Sequence, residues 1–150
     1  MDRIEKQVEL RAPRSRVWKA LTTAREFGAW FGVKLEGEFA PGKPISGKIT
    51  YNGLTHLTMT VTVDRLEPEH TFSFRWNPYA IEPGVDYSKE EPTLVEFTLR
   101  ETPSGTLLKV VESGFERVPL ARRAKAFTMN DEGWAQQLRA IEEYLEHGPQ

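Results

Sequence analysis

The stretch Val110-Val111-Glu112-Ser113-Gly114-Phe115, followed by a helix carrying Phe127, Asn130, Trp134, Leu138, Ile141 and Leu145, decides the fold. Its first part reads as a strand. Its second part spaces apolar residues by three, four and seven, which puts Phe127, Trp134, Leu138, Ile141 and Leu145 on one helix face. Asn130 shares that face, four residues before Trp134, where an apolar residue is expected. Pro119 opens the helix and Gly148-Pro149 ends it.

Upstream of this helix lie seven strand-like segments. Ile4, Val8 and Leu10 alternate with charged residues, as on a strand with one buried face. Pro13 suits the first turn of a helix carrying Val17, Trp18 and Leu21. Thr23-Ala24-Arg25-Glu26 has the form of a capping box, so a second short helix is expected from Thr23 to Gly32. It carries Phe27, Trp30 and Phe31 to one side.

From Val33 the period becomes two. Val33, Leu35 and Phe39 suggest one strand, and Ile45 to Tyr51 another, with Pro41-Gly42-Lys43-Pro44 as the turn between them. Asn52-Gly53 signals a hairpin. Leu57, Met59, Val61 and Val63 alternate with Thr58, Thr60 and Thr62, so one face of this strand is apolar and the other wet. Phe72, Phe74 and Trp76 alternate after the Pro68-Glu69-His70 turn. Val95, Phe97 and Leu99 form the next strand, and Pro103-Ser104-Gly105 leads to Leu108 and Val110. Short connections favour an antiparallel sheet, and the terminal helix is the large partner able to cover its apolar face. The expected fold is α+β: a curved antiparallel sheet of six to seven strands gripping a long C-terminal helix, with two short helices after the first strand. A single domain spans residues 1–150.

The bulk composition narrows the partners. The chain has 150 residues, 39% hydrophobic and 28% charged, as in an ordinary globular domain. A net charge of −2 gives no electrostatic case for nucleic acid or an anionic membrane. Arg122, Arg123 and Lys125 read as a solvated helix face. Cysteine is absent, which excludes disulfides, thiolate metal sites and cysteine nucleophiles. Neither a signal-peptide core nor a membrane-spanning run is present, so a soluble, cytoplasmic protein is expected.

These pieces resemble the START-like or Bet v 1-like superfamily, the helix-grip fold. More narrowly they resemble the family named after the C-terminal domain of the activator of Hsp90 ATPase. The resemblance is carried by Ala12-Pro13 with Val17-Trp18-Lys19-Ala20-Leu21-Thr22, by Trp30-Phe31, by Phe72-Ser73-Phe74-Arg75-Trp76, by Glu112-Ser113-Gly114-Phe115, and by Asn130 with Gly133-Trp134 and Gln137-Leu138. It implies an internal cavity for lipids, hormones, polyketides or other apolar molecules, with cyclases, dehydratases and hydrolases among the relatives. The eukaryotic co-chaperone has a separate N-terminal domain that does much of the Hsp90 engagement and for which this chain has no room, so Hsp90 activation does not carry over from the family name.

Parity places Glu112 on the face of Leu108 and Val110, turned toward the helix, where Asn130 could meet it. A carboxylate there could orient the polar end of a ligand or act as acid or base. Alternatively, Glu112 and Asn130 satisfy each other or the neighbouring backbone. Trp30, Phe31, Met59, Phe74, Trp76, Phe97, Phe127 and Trp134 would line an apolar cavity or form an ordinary core, with Met129 as a further adaptable wall. His56, His70 and His147 show no metal spacing, no glycine run forms a phosphate loop, and Ser88, Ser104 and Ser113 lack an activating base. No metal or cofactor is expected. The segment 77–92, with Tyr79, Ile81 and Tyr87, is a lid, a surface excursion or a dimer contact. Binding of a small apolar molecule is the leading expectation. A cyclase or dehydratase using Glu112 and a chaperone-linked protein-binding module are the alternatives.

Overall fold

The computed structural model describes residues 3–51, 53–78 and 87–147. The elements run β1 (Arg3–Leu10), α1 (Arg14–Thr22), α2 (Ala24–Phe31), β2 (Val33–Glu36), β3 (Pro44–Ile49), β4 (Thr58–Glu67), β5 (Thr71–Trp76), β6 (Thr93–Thr102), β7 (Gly105–Ser113) and α3 (Leu120–His147). All seven strands join one antiparallel sheet in the order β1-β7-β6-β5-β4-β3-β2. The helix-grip architecture read from the sequence is the one observed.

Alternation sets the inward face. In β6, Thr93, Val95, Phe97 and Leu99 are buried, and in β7 Thr106, Leu108, Val110 and Glu112 are. Register joins the two sets: Val95 pairs with Glu112 on one side, and Ile4 of β1 pairs with it on the other. Helix α3 lays Ala126, Asn130, Trp134, Leu138 and Ile141 on this face. Each fully buried Phe or Ile of this layer contributes roughly 1.5–3 kcal/mol before ordering costs.

Local details depart from the sequence reading where tertiary contacts outweigh local chemistry. Thr23 is the N-cap of α2, but its side chain makes no capping bond. Glu26 turns instead into the interior, where it forms an ion pair with Arg16 at 2.8 Å and accepts from the Tyr144 hydroxyl at 2.8 Å. Gly32 closes α2 in the left-handed region at φ 96°, as expected of a helix-ending glycine. Strand β3 ends at Ile49, so eight residues, 50–57, connect it to β4, rather than a two-residue hairpin. Gly53 has positive φ, but Asn52 lies outside the described residues. Phe39 is buried beyond the end of β2.

Candidate functional site

Glu112 is fully buried on β7 and receives five hydrogen bonds from four side chains. The Trp134 indole donates to Oε1 at 2.9 Å, and the Trp76 indole to Oε2 at 2.8 Å. Thr93 Oγ1 donates to Oε2 at 2.6 Å, and Asn130 Nδ2 spans both oxygens at 2.9 and 3.1 Å. None of the ion pairs among the described residues involves Glu112. Neutral donors alone therefore offset its desolvation. Expected meeting of Glu112 and Asn130 does occur, but both are part of a larger set drawn from β5, β6, β7 and α3.

Aromatic rings enclose this carboxylate. Trp76 and Trp134 lie 5.7 Å apart, tilted by 30°. Phe31 packs on both, at 5.9 Å from Trp76 and 6.0 Å from Trp134. Phe74 meets Trp76 edge-on at 5.4 Å, and Phe97 meets Trp134 at 5.6 Å. The space expected to be an open cavity near the start of α3 thus holds the indoles of Trp76 and Trp134. Indoles fill it because the carboxylate supplies an acceptor for each N–H, the condition under which tryptophan is readily buried.

The other expected lining residues sit elsewhere. Trp30 donates to the Ala20 carbonyl at 2.9 Å and ties α2 to α1. Phe127 packs edge-on against Phe115 at 5.2 Å. Met59 is buried on β4, three residues before the β4–β5 ladder begins at Thr62. Met129 is exposed, and with Ala124, Lys125, Thr128 and Glu132 it lines an open surface depression of about 500 Å³ on the outer side of α3. A second depression, about 270 Å³, is lined by Pro13, Arg14, Ser15, Glu69, Glu101 and Gly105, and neither depression is lined by Glu112 or its hydrogen-bond partners.

Four residues escaped the sequence reading. Thr93 carries the inward parity of Val95, Phe97 and Leu99, which was the available signal. Tyr51 donates to the Phe31 carbonyl, and Gln137 donates to both that carbonyl and the Tyr51 hydroxyl. This latch holds the β3–β4 connection against α2 and α3 beside Phe31, and burial pushes the Tyr51 phenol pKa up. Glu26 reads locally only as the closing residue of a capping box. Nothing local foretold its partner Tyr144, which is 118 residues away.

Arg122 is not a solvated charge. It reaches Glu90, approaches the Pro78 carbonyl at 3.5 Å, and lies 4.8 Å from the Tyr87 ring centroid. Arg123 likewise donates to the Val118 and Glu116 carbonyls. Both flanks of the segment 77–92 are therefore tied to the start of α3. Tyr79 and Ile81, on which the choice between a lid, a surface excursion and a dimer contact falls, lie outside the described residues. Among the described residues no group of His, Asp and Glu is arranged to hold a metal, and no helix is long and apolar enough to cross a membrane.

Solved structures share this architecture. The chain is similar to the Mesorhizobium loti protein MLL2253, at 24% identity over 99% of both chains with a TM-score of 0.76. It is similar to an Arthrobacter aurescens protein at 18% identity, over 99% of this chain and 88% of that one, with a TM-score of 0.80. Similarity to the Aha1 dimer from Colwellia psychrerythraea covers 100% of both chains at 19% identity with a TM-score of 0.73. No curated protein matches the sequence. A model of the family described as activator of Hsp90 ATPase homolog 1-like protein matches residues 11–146. With nearly the whole chain matched and the helix-grip fold observed, the protein belongs to the activator of Hsp90 ATPase homolog 1-like family of the START-like superfamily.

Proposed function

We propose that the chain binds a small apolar or amphipathic molecule between the sheet and α3, with Glu112 orienting its polar end. The observation that carries this reading is a fully buried carboxylate held by neutral donors inside a ring of aromatic side chains. Of its four partners, Thr93, Asn130 and Trp134 are buried, whereas Trp76 is half-buried. Trp76 ends β5, and the β4–β5 ladder stops one residue before it, at Arg75. A rotation of this side chain toward solvent opens Glu112 Oε2 and leaves Phe31, Phe74 and Trp134 as apolar walls. The ligand then gains affinity by burial, roughly 25 cal/mol per Å² of apolar surface before ordering costs.

A thermal-shift screen of small amphipathic molecules against the wild type and Glu112→Gln tests this. Ligands that bind the folded state raise the melting temperature. Molecules that stabilise the wild type and lose most of that effect in a folded Glu112→Gln variant are expected. Absence of any stabilising molecule, or equal stabilisation of both proteins, argues against the site.

A further inference from the structure

We infer that the ligand of this site is a flat aromatic molecule with an N–H donor on its rim, such as an indole, an aryl amine or an aryl amidine. This rests on the binding reading above and deepens it. The side chain already seated there carries the inference. The Trp76 indole is itself a planar ring bearing one N–H. It lies 5.7 Å from Trp134 at a 30° tilt, with Phe31 and Phe74 edge-on at 5.9 and 5.4 Å, and its N–H is on Glu112 at 2.8 Å. A ligand that takes this place must reproduce both features. It needs a ring thin enough for the slot between Phe31, Phe74 and Trp134, and a donor for Oε2.

A molecule with only acceptors on its rim would bring lone pairs against the carboxylate. A pure hydrocarbon would leave Oε2 with only the Thr93 and Asn130 bonds, one hydrogen bond to a charged group fewer than it has with Trp76 in place. Both outcomes are costly in a buried site. A carboxylic acid would add like charge to Glu112 and is disfavoured for the same reason. A cationic N–H is favoured over a neutral one, because no side chain among the ion pairs of the described residues neutralises Glu112.

Indole, indene and benzofuran test this on the unmodified protein, because they share size and shape and differ in the N–H. Their binding can be followed through the side-chain N–H resonances of the protein's tryptophans by ¹⁵N-edited NMR. Indole is expected to shift the Trp76 resonance away from its carboxylate-bonded position, to perturb Trp134, and to leave Trp18 and Trp30 unchanged. It should bind about ten-fold tighter than indene or benzofuran, the worth of one buried hydrogen bond to a charged group. Equal or tighter binding of indene or benzofuran at the same resonances overturns the ligand class and leaves the site standing. If none of the three moves Trp76 while another molecule from the thermal screen does, the class is again wrong and the site right. If nothing moves Trp76 or Trp134, the inference and the binding reading fall together.

Discussion

The indole N–H of Trp76, at the end of β5, and that of Trp134, midway along α3, point at opposite oxygens of the single carboxylate of Glu112. One acidic side chain thereby fixes the distance between sheet and helix at the point where the fold grips. Because tryptophan N–H groups can only donate, the arrangement requires an acceptor oxygen on each side, which glutamate has and glutamine, with one oxygen and one NH2, lacks.

Glu112→Gln should therefore destabilise the fold by about 2–4 kcal/mol, since its amide nitrogen confronts donors that lose their acceptor. Urea denaturation measures this directly. A change within 0.5 kcal/mol, roughly the effect of an ordinary surface substitution, would show that the donors re-pair with little loss.

Trp134→Phe and Trp76→Phe each delete one N–H but differ in exposure. The Trp134 change should cost about 1–3 kcal/mol and the Trp76 change about 1 kcal/mol or less, because water can reach the end of β5 and replace the lost donor. Reversed costs, compared by denaturation midpoints, would contradict the reading of Trp76 as the movable partner.

Gly32→Ala should destabilise by about 1–3 kcal/mol, from the left-handed backbone together with displacement of a neighbour. The φ there is 96°, and an added Cβ would come within 2.4 Å of the Tyr51 ring. Release of Tyr51 in this variant should appear as raised tyrosine reactivity toward nitration. Unchanged reactivity would mean that the ring accommodates the methyl group in place.

Stability should fall as pH rises past 10.0, the ordinary phenol value. Burial, then the hydrogen bond to Glu26, pushes the Tyr144 pKa up, and burial pushes Tyr51 the same way. The unfolded chain then loses these protons first, so above pH 10.0 the folded state binds more protons and stability drops with pH until the folded phenols ionise. Below that range the contribution is fully present. Tyr144→Phe should flatten the alkaline limb of a stability–pH profile, and an unchanged slope would assign the loss to other groups.

Much of this architecture was legible because each strand has one buried face, and parity then fixes which residues turn inward. Glu112 was found from Leu108 and Val110, and Asn130 from its place four residues before Trp134. Parity cannot say how far apart two facing elements lie. The same residues were thus compatible with a cavity and with the filled interior that the tryptophans make. Thr93 obeyed the same parity but has no apolar signature to draw attention. Glu26 misled because a capping box is a local motif, whereas Arg16 and Tyr144 reach it from two other helices. The hairpin signalled by Asn52-Gly53 does join β3 to β4, with the Leu54 N–H donating to the Tyr51 carbonyl, but its connection takes eight residues, 50–57, and the Tyr51 side chain is held by Phe31 and Gln137.

Native mass spectrometry of the purified protein, followed by denaturing extraction, tests the binding reading most directly. A stoichiometric small aromatic molecule, released on denaturation and greatly reduced in a folded Glu112→Gln variant, is the predicted result. A companion retained equally by that variant, or a bare protein mass that no added small molecule alters, would contradict a ligand site at Glu112.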